Sequence, residues 1–487
     1  MKLSLIKLKE YGEVVEIKED IVRVSGFANC MNGQIISFGE QTQGVIVGFD
    51  PDYVLALIVK GHESIKPGTP VQADIEAFSV PVGEAFLGRT VSALCEPVDG
   101  KGPIEGAKDY PIFGAAPSVL ERIPLKKVVE SGVKIIDMMI PLGKGQRELI
   151  VGDRVTGKTT IAVDTILSQK GKDVVCVYCC IGKAEASLQR IYELFAERDV
   201  LGYTILVSAT ASSSMGQQYL APYVAASLGE YFMYEQGRDV IVVFDDLTKH
   251  AWTYRQISLL LERSPGRDAY PGDIFYLHSQ LVERACKLSP DLGDGSMTFL
   301  PIVETLQGDV TGYIPSNLIS MTDGQIYTSS SLFSEGFKPP IDLGLSVSRI
   351  GNKVQWPAMK ELSSMLRLEY VSFKELEKLT RLRSAVSEEV ERRLRRGRIV
   401  TELLKQDRNA PVGMEDQVIL LYALSKGFLD EVEPMHVEEH QARMLQHVKE
   451  TRPTLISELL ATKTLSDTMK EGLDEELARF HASVAHN

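Results

Sequence analysis

Between residues 147 and 262, apolar runs alternate with helical stretches, and one junction carries "GDRVTGKTT", residues 152–160. The runs are "RELIVGD", "DVVCVYCCIG", "YTILVSAT" and "DVIVVFDD". They lead into "GKTTIAVDTILSQK", "EASLQRIYELFAERD", "YLAPYVAASLGEYFMYEQG" and "HAWTYRQISLLLE". Strands this uniformly apolar are covered on both faces, which predicts a parallel sheet in an α/β domain. The junction "ELIVGDRVTGKTTIAVDTIL" supplies strand, glycine-rich loop and helix in order, the context a P-loop needs. Its candidate nucleotide-binding residues are Gly152, Asp153, Arg154, Val155, Thr156, Gly157, Lys158 and Thr159. Gly152 and Gly157 let the backbone bend and approach phosphates without a Cβ clash. Loop N–H groups and the helix N-terminus then face negative charge. Lys158 is expected to reach the β/γ-phosphates, and the Thr159 hydroxyl to coordinate Mg²⁺. The expected cofactors are therefore ATP or ADP and Mg²⁺.

"DVIVVFDD" ends in Asp245 and Asp246. A carboxylate at the tip of a buried strand beside a P-loop is the usual partner of the metal, held through water, and Asp245 is assigned that role. Hydrolysis needs one more group, a carboxylate that polarises the attacking water. In RecA-like motors it commonly follows the strand after the P-loop helix. Here "DVVCVYCC" is followed by "IGKAEA", which puts Lys183 at that position. A charged ammonium cannot accept a proton. Glu185, two residues on, needs a different backbone path to replace it.

The rest of the sequence divides around this centre. At 487 residues it is too long for one core. Residues 1–73 hold short β patterns, "GEVVEI", "IVRVSGF", "GQIISFG", "QGVIVGF", "YVLALIVKG" and "TPVQA", punctuated by Gly, Asp, Asn and Pro. That spacing predicts a small sandwich or barrel. Residues 74–355 form the expected nucleotide-binding domain, and residues 356–487 read as helices, "SEEVERRLRRGRIVTELLKQ" among them. The net charge of −13 argues against a nucleic-acid surface, which wants clustered Lys and Arg. Of the six cysteines, Cys176, Cys179 and Cys180 lie in "VVCVYCC". That run is a buried strand rather than a metal cluster, because the pleat splays neighbouring thiols to opposite faces. Six scattered cysteines suit a reducing compartment. "MKLSLIKLKEYGEVVEI" has no continuous apolar core of a signal peptide, and no run is long enough to span a bilayer.

The sequence resembles the alpha-subunit family of F-type ATP synthases along essentially its whole length. The resemblance rests on a colinear set: "VVEIKEDIVRVSGF", "PVGEAFLGRTVSALCEPVDGKGPI", "GDRVTGKTT", "ERSPGRDAYPGDIFYLHSQLVERA", "GDVTGYIPSNLISMTDGQIY" and "PPIDLGLSVSRIG". It implies an N-terminal β-barrel, a central RecA-like P-loop domain and a C-terminal helical bundle. It also implies a subunit that binds nucleotide without catalysis, in a three-plus-three ring with catalytic beta subunits around a gamma shaft, with no nucleic-acid partner. A peripheral stalk and a membrane sector that passes H⁺ or Na⁺ complete the implied complex. The protein would then lie peripherally on the cytoplasmic face of a bacterial or archaeal membrane.

The resemblance also assigns residues. Arg349, in "LSVSRIG", matches the arginine that reaches into the beta subunit's catalytic site, and Ser346 matches a serine needed for activity there. Lys338, Pro339 and Gln406 match positions near the adenine of the non-catalytic site. The sequence departs from the family at three places. Arg408 stands where a second Gln is usual. Lys183 replaces the Gln of alpha subunits and the Glu of catalytic beta subunits. The sequence starts almost at the barrel, so docking on the delta subunit is not among the expectations that the resemblance carries over. A self-sufficient homohexameric RecA-like motor, such as a secretion ATPase or helicase, is the rival reading, and "IGKAEA" speaks against it. The non-catalytic subunit of a vacuolar or archaeal rotary ATPase is disfavoured by the intact P-loop.

Overall fold

In the computed structural model, residues 9–39, 41–61, 65–106, 108–380 and 387–485 are described. The signal-peptide reading falls partly on residues 1–8, outside that range. Among the described residues, the first part is a closed barrel of β1 (Lys9–Lys18), β2 (Ile21–Ser25), β3 (Gln34–Phe38), β4 (Thr42–Phe49), β5 (Val54–Lys60) and β6 (Pro70–Ala77). These are the six stretches picked out by turn punctuation. All pairs are antiparallel, in the order β1-β2-β5-β4-β3-β6, and β6 closes the ring by pairing with both β1 and β3. Its last strand runs past residue 73 to Ala77.

β5, "VLALIVK", is apolar without alternation, which an ordinary barrel strand does not require. The reason is that it serves two cores. Val54, Ala56 and Ile58 pack inside the barrel with Val22, Val24 and Ile46. Leu55, Leu57 and Val59 join the core of the central domain. The Gln217 side-chain amide fixes the junction by donating to the Val59 carbonyl at 3.2 Å.

Beyond the barrel come β7 (Ser79–Val82), β8 (Thr90–Ser92), β9 (Lys108–Pro111), and the short pair β10 (Val128–Val129) and β11 (Leu142–Gly143). The central strands are β12 (Glu148–Gly152), β13 (Val174–Ile181), β14 (Thr204–Ala209), β15 (Asp239–Asp245), β16 (Cys286–Lys287), β17 (Ser296–Glu304), β18 (Gly324–Thr328) and β19 (Val347–Ser348). One sheet runs β19-β18-β12-β17-β15-β13-β14-β8, parallel from β18 to β8, with β19 antiparallel at the edge and β16 pairing β17. The parallel sheet expected from the apolar runs is thus present.

Both faces of the sheet are covered. Cys176, Tyr178 and Cys180 of β13 face α2 (Lys158–Leu167) and α3 (Glu185–Glu197). Val175, Val177, Cys179 and Ile181 face α4 (Met215–Glu235) and α5 (Leu247–Leu260). Two of the three thiols therefore point one way and one the other, all free, and burial pushes the Cys180 thiol up to about 12.

From there α6 (Ile274–Val282), α7 (Tyr313–Met321) and α8 (Ser330–Ser334) lead to a helical region: α9 (Pro357–Ser363), α10 (Leu366–Thr380), α11 (Glu388–Leu404), α12 (Met414–Ser425), α13 (Val437–Thr451), α14 (Pro453–Thr462) and α15 (Asp467–Ala485). Its core is continuous with one face of the sheet through α1 (Lys134–Met139). Buried Asp137 is the polar tie. It accepts from the Ser131 N–H and hydroxyl at 2.9 and 2.7 Å, and from Gly132 N–H and the Gln417 amide at 2.9 and 2.8 Å. No helix among the described residues is long and apolar enough to cross a membrane.

Candidate nucleotide site

β12 lies between β18 and β17, so the loop after Gly152 leaves from the middle of the sheet. A Cβ on Gly152 would come within 2.3 Å of the Thr328 carbonyl oxygen, so only glycine fits where the loop peels away from β18. Gly157 begins α2 with φ 89°, the left-handed conformation that favours glycine. α2 has no side-chain cap, so its first N–H groups remain available to an anion.

Lys158 is only 6 % exposed and curls back over the loop, donating to the Gly152 carbonyl at 2.8 Å and to the Asp153 carbonyl. Burial lowers its pKa, against the opposing pull of Glu304, Asp246 and Asp245. Asp153 holds the loop's shape from outside the cavity. Its Oδ1 accepts from the Thr305 hydroxyl and the Gly308 N–H, both at 2.7 Å. Burial alone would raise its pKa, but those donors and the Ser330 hydroxyl keep it below the usual value. The Thr156 hydroxyl pairs with that of Thr328 at 2.7 Å.

The expected metal residues do meet. The Thr159 hydroxyl donates to Asp245 Oδ2 at 2.8 Å, and the Tyr178 hydroxyl donates to the same oxygen at 2.6 Å. Lys183 lies between them: its ammonium donates to Thr159 Oγ1 at 2.9 Å and pairs with Asp245 Oδ1. Mg²⁺ requires oxygen lone pairs at about 2.0–2.1 Å in near-octahedral array. One Thr159 lone pair and both Asp245 oxygens already face Lys183 or hydroxyl donors, and a positive charge stands against them. As disposed, these residues do not fit the divalent ion expected of Thr159 and Asp245.

The other carboxylates here have structural partners. Asp246 caps α5 by accepting from the Lys249 N–H at 2.8 Å; burial and the adjacent Asp245 push its pKa up to about 7. Glu304 lies 3.4 Å from Arg154 Nε. Glu185 is exposed at the start of α3.

These groups line one end of a cavity of about 650 Å³. Val155, Thr156, Gly157, Lys158, Thr159 and Asp245 contribute to its wall, whereas Gly152, Asp153 and Arg154 do not. At the other end stand Lys338, Pro339 and Gln406, as expected, with Phe333 and Arg408. The Lys338 ammonium lies 5.5 Å from the centre of the Phe333 ring. The Gln406 amide is fully engaged with backbone: Oε1 accepts from Lys134 N–H at 2.9 Å, and Nε2 donates to the Gly132 and Ala410 carbonyls at 2.8 Å. It shapes the pocket wall, and both of its N–H donors are spent on backbone. Asp164, also in this wall, accepts from Asn409 N–H at 2.8 Å, and burial raises it to about 7. Sequence reasoning missed Phe333 and Asp164. A pair of aromatics upstream of "KPP", Phe333 and Phe337, was a signal for the first, although the nearer one is buried in the core. A carboxylate inside the apolar pattern of α2 was a signal for the second.

Arg349 and Ser346 do not line this cavity. They flank β19, at the sheet's edge. Arg349 donates its backbone N–H to the Asp323 carbonyl at 2.8 Å, and Asp323 is gripped by Arg147 at 3.0 and 2.8 Å. The Arg349 side chain is exposed, with no hydrogen bond or ion pair among the described residues. Its charge is felt by buried Glu148, whose carboxyl burial pushes well above the usual range while Arg349 opposes. Ser346 is fully buried. Its hydroxyl donates to the Asp342 carbonyl at 2.6 Å and accepts from Tyr327 N–H at 2.9 Å. Ser346, grouped with Arg349 from the sequence, turns its hydroxyl into the fold through these two bonds, on the segment that carries Arg349.

Barrel, doubly covered parallel sheet, P-loop and buried strand-end aspartate together define a RecA-like nucleotide-binding protein with an added barrel and helical region. Family models match all three parts. The beta-barrel domain of the ATP synthase alpha/beta family matches residues 7–73, its nucleotide-binding domain residues 132–348, and its C-terminal domain residues 355–480. This protein belongs to the ATP synthase alpha/beta family. It is 44 % identical over 475 residues to proteins named "ATP synthase subunit alpha" from Clostridium botulinum strains Eklund 17B and Langeland. The match covers 98 % of this sequence and 94 % of each relative, as the resemblance to alpha subunits led one to expect.

Proposed function

We propose that this protein is the nucleotide-binding, non-catalytic alpha subunit of a membrane-associated F-type ATP synthase. In that complex it alternates with catalytic beta subunits around a gamma shaft, and ion flow through a membrane sector drives synthesis. Its own pocket holds ATP or ADP, with phosphates on the uncapped start of α2 and Lys158, and the base beside Phe333, Lys338 and Pro339. Arg349 reaches from the sheet edge into the neighbouring subunit's site, where its planar fork of donors meets charge on the γ-phosphate.

The single observation that carries the non-catalytic reading is the Lys183 ammonium, paired with Asp245 where a water-polarising carboxylate would be needed. Membership in the ATP synthase family does not favour the homohexameric motor. The test is reconstitution. The purified protein binds ATP without sustained turnover, and hydrolysis appears when a catalytic beta subunit is added. Turnover by the isolated protein in the ordinary enzyme range of about 1–10³ s⁻¹, abolished by Lys158→Ala, would overturn the reading.

A further inference from the structure

We infer that the Lys183 ammonium is a resident counter-cation of this pocket, so that the protein takes a nucleoside di- or triphosphate with little dependence on a divalent metal. The inference rests on the nucleotide-binding reading above and goes beyond it, to the ionic form of the ligand.

The phosphate end of the cavity is acidic. Asp245, Asp246 and Glu304 all line it, and Asp245 and Asp246 are essentially fully buried. A polyphosphate entering such a wall needs an intervening cation. Lys158 supplies one positive charge from the loop side. On the strand side the charge is Lys183.

Three observations fix Lys183 there. Its ammonium pairs with Asp245 Oδ1. It donates to Thr159 Oγ1 at 2.9 Å. The remaining Asp245 oxygen is saturated by the Thr159 and Tyr178 hydroxyls at 2.8 and 2.6 Å, so the carboxylate cannot turn away. An ammonium has three N–H donors. One is used on Thr159, the ion pair turns the ammonium toward Asp245, and a donor is left for a phosphate oxygen in the cavity that Lys183 lines. The group thus bridges carboxylate, hydroxyl and phosphate, the task a divalent ion performs at a P-loop with an uncharged residue at this position. A second cation there would have to displace Lys183 against like-charge repulsion.

The experiment is equilibrium binding of ATP to the purified full-length protein, with millimolar Mg²⁺ or with excess EDTA. The same titrations are made on Lys183→Gln, and melting curves verify that the variant is folded. The wild-type dissociation constant is expected to change by less than about tenfold on chelation, equivalent to 1.4 kcal/mol. Lys183→Gln should lose more than that in EDTA and recover with Mg²⁺. Mn²⁺ gives a readout free of any variant. Its paramagnetic spectrum should show no ATP-dependent binding to the wild-type protein, and such binding should appear in Lys183→Gln. A wild-type protein that binds ATP only with Mg²⁺, and takes up Mn²⁺ with it, would overturn the inference while leaving nucleotide binding intact. No ATP binding to the wild-type protein under either condition would overturn the nucleotide-binding reading itself, and the inference with it.

Discussion

Lys183 and Arg349 are both cations on strand ends of one sheet, and they are held in opposite ways. Lys183 is turned inward, anchored on Asp245 and Thr159 inside the protein's own pocket. Arg349 is turned outward from the edge segment at β19, and only its backbone is tied down. The contrast teaches how one P-loop domain can hold nucleotide passively and act elsewhere. A cation anchored on a local carboxylate can meet a bound phosphate in place, but it cannot take a proton from an attacking water. A cation anchored by its backbone alone keeps its whole fork of donors for a neighbour.

The largest effect that would sharpen this contrast is expected from Arg349→Lys in a complex with unaltered beta subunits. Lys keeps the charge and loses the fork. Arginine fingers contribute about 10³–10⁵ in comparable phosphoryl-transfer sites, so single-turnover hydrolysis should fall steeply while nucleotide affinity at the beta site is spared. A near-normal rate would make Arg349 an ordinary surface residue.

Lys158→Ala acts on the other side of the comparison. Hydrogen bonds to charged groups contribute about 1.5–3 kcal/mol, so ATP affinity at this protein's own pocket should drop by roughly ten- to 150-fold. Assembly with beta subunits should persist, because the hydrogen bonds of the lysine go only to the loop. Equal loss of binding and of assembled complex would show that the two regions are not separable.

Ser346→Ala should be milder. It strips the buried Tyr327 N–H of its acceptor, at a cost of about 1–3 kcal/mol in stability, and loosens the segment bearing Arg349. Turnover in the complex should decline less than with Arg349→Lys, and ATP binding to the protein's own pocket should not change. A loss matching Arg349→Lys would mean that the hydroxyl itself reaches the partner's site.

The smallest effect concerns Asp164. Its carboxyl sits near 7 in the fold, against about 3.9 for an unperturbed aspartate. The neutral acid is thus favoured by folding. Its contribution is fully present below about pH 4 and is lost as pH rises through 7. Asp164→Asn should match the wild type in melting temperature near pH 4 and exceed it at pH 8. A difference independent of pH would show that burial does not govern this group.

Much of this was legible in the sequence, for identifiable reasons. Turn residues punctuate all six barrel strands, and the doubly covered sheet announces itself through β12, β13 and β15, apolar along most of their length. β5 was legible as a strand, but its second role was not, because only the packed structure shows which core each face joins. The P-loop motif located the phosphate end of the cavity. It could not reveal that Lys183 would lie between Thr159 and Asp245, since that contact depends on how two parallel strands and a loop converge. The burial of Ser346 escaped for the same reason: position beside Arg349 in sequence says nothing about which way a hydroxyl points. Phe333 and Asp164 escaped because their signals, an aromatic upstream of "KPP" and a carboxylate within the apolar pattern of α2, gain meaning only beside the folded pocket.

The fate of ATP bound to the isolated protein tests the central claim most directly. Load the protein with γ-labelled ATP, remove the excess, and follow labelled phosphate over hours, beside Lys158→Ala as the binding control. A pocket closed on Lys183 predicts that the nucleotide is retained and recovered as ATP. Stoichiometric conversion to ADP and phosphate, dependent on Lys158, would contradict it.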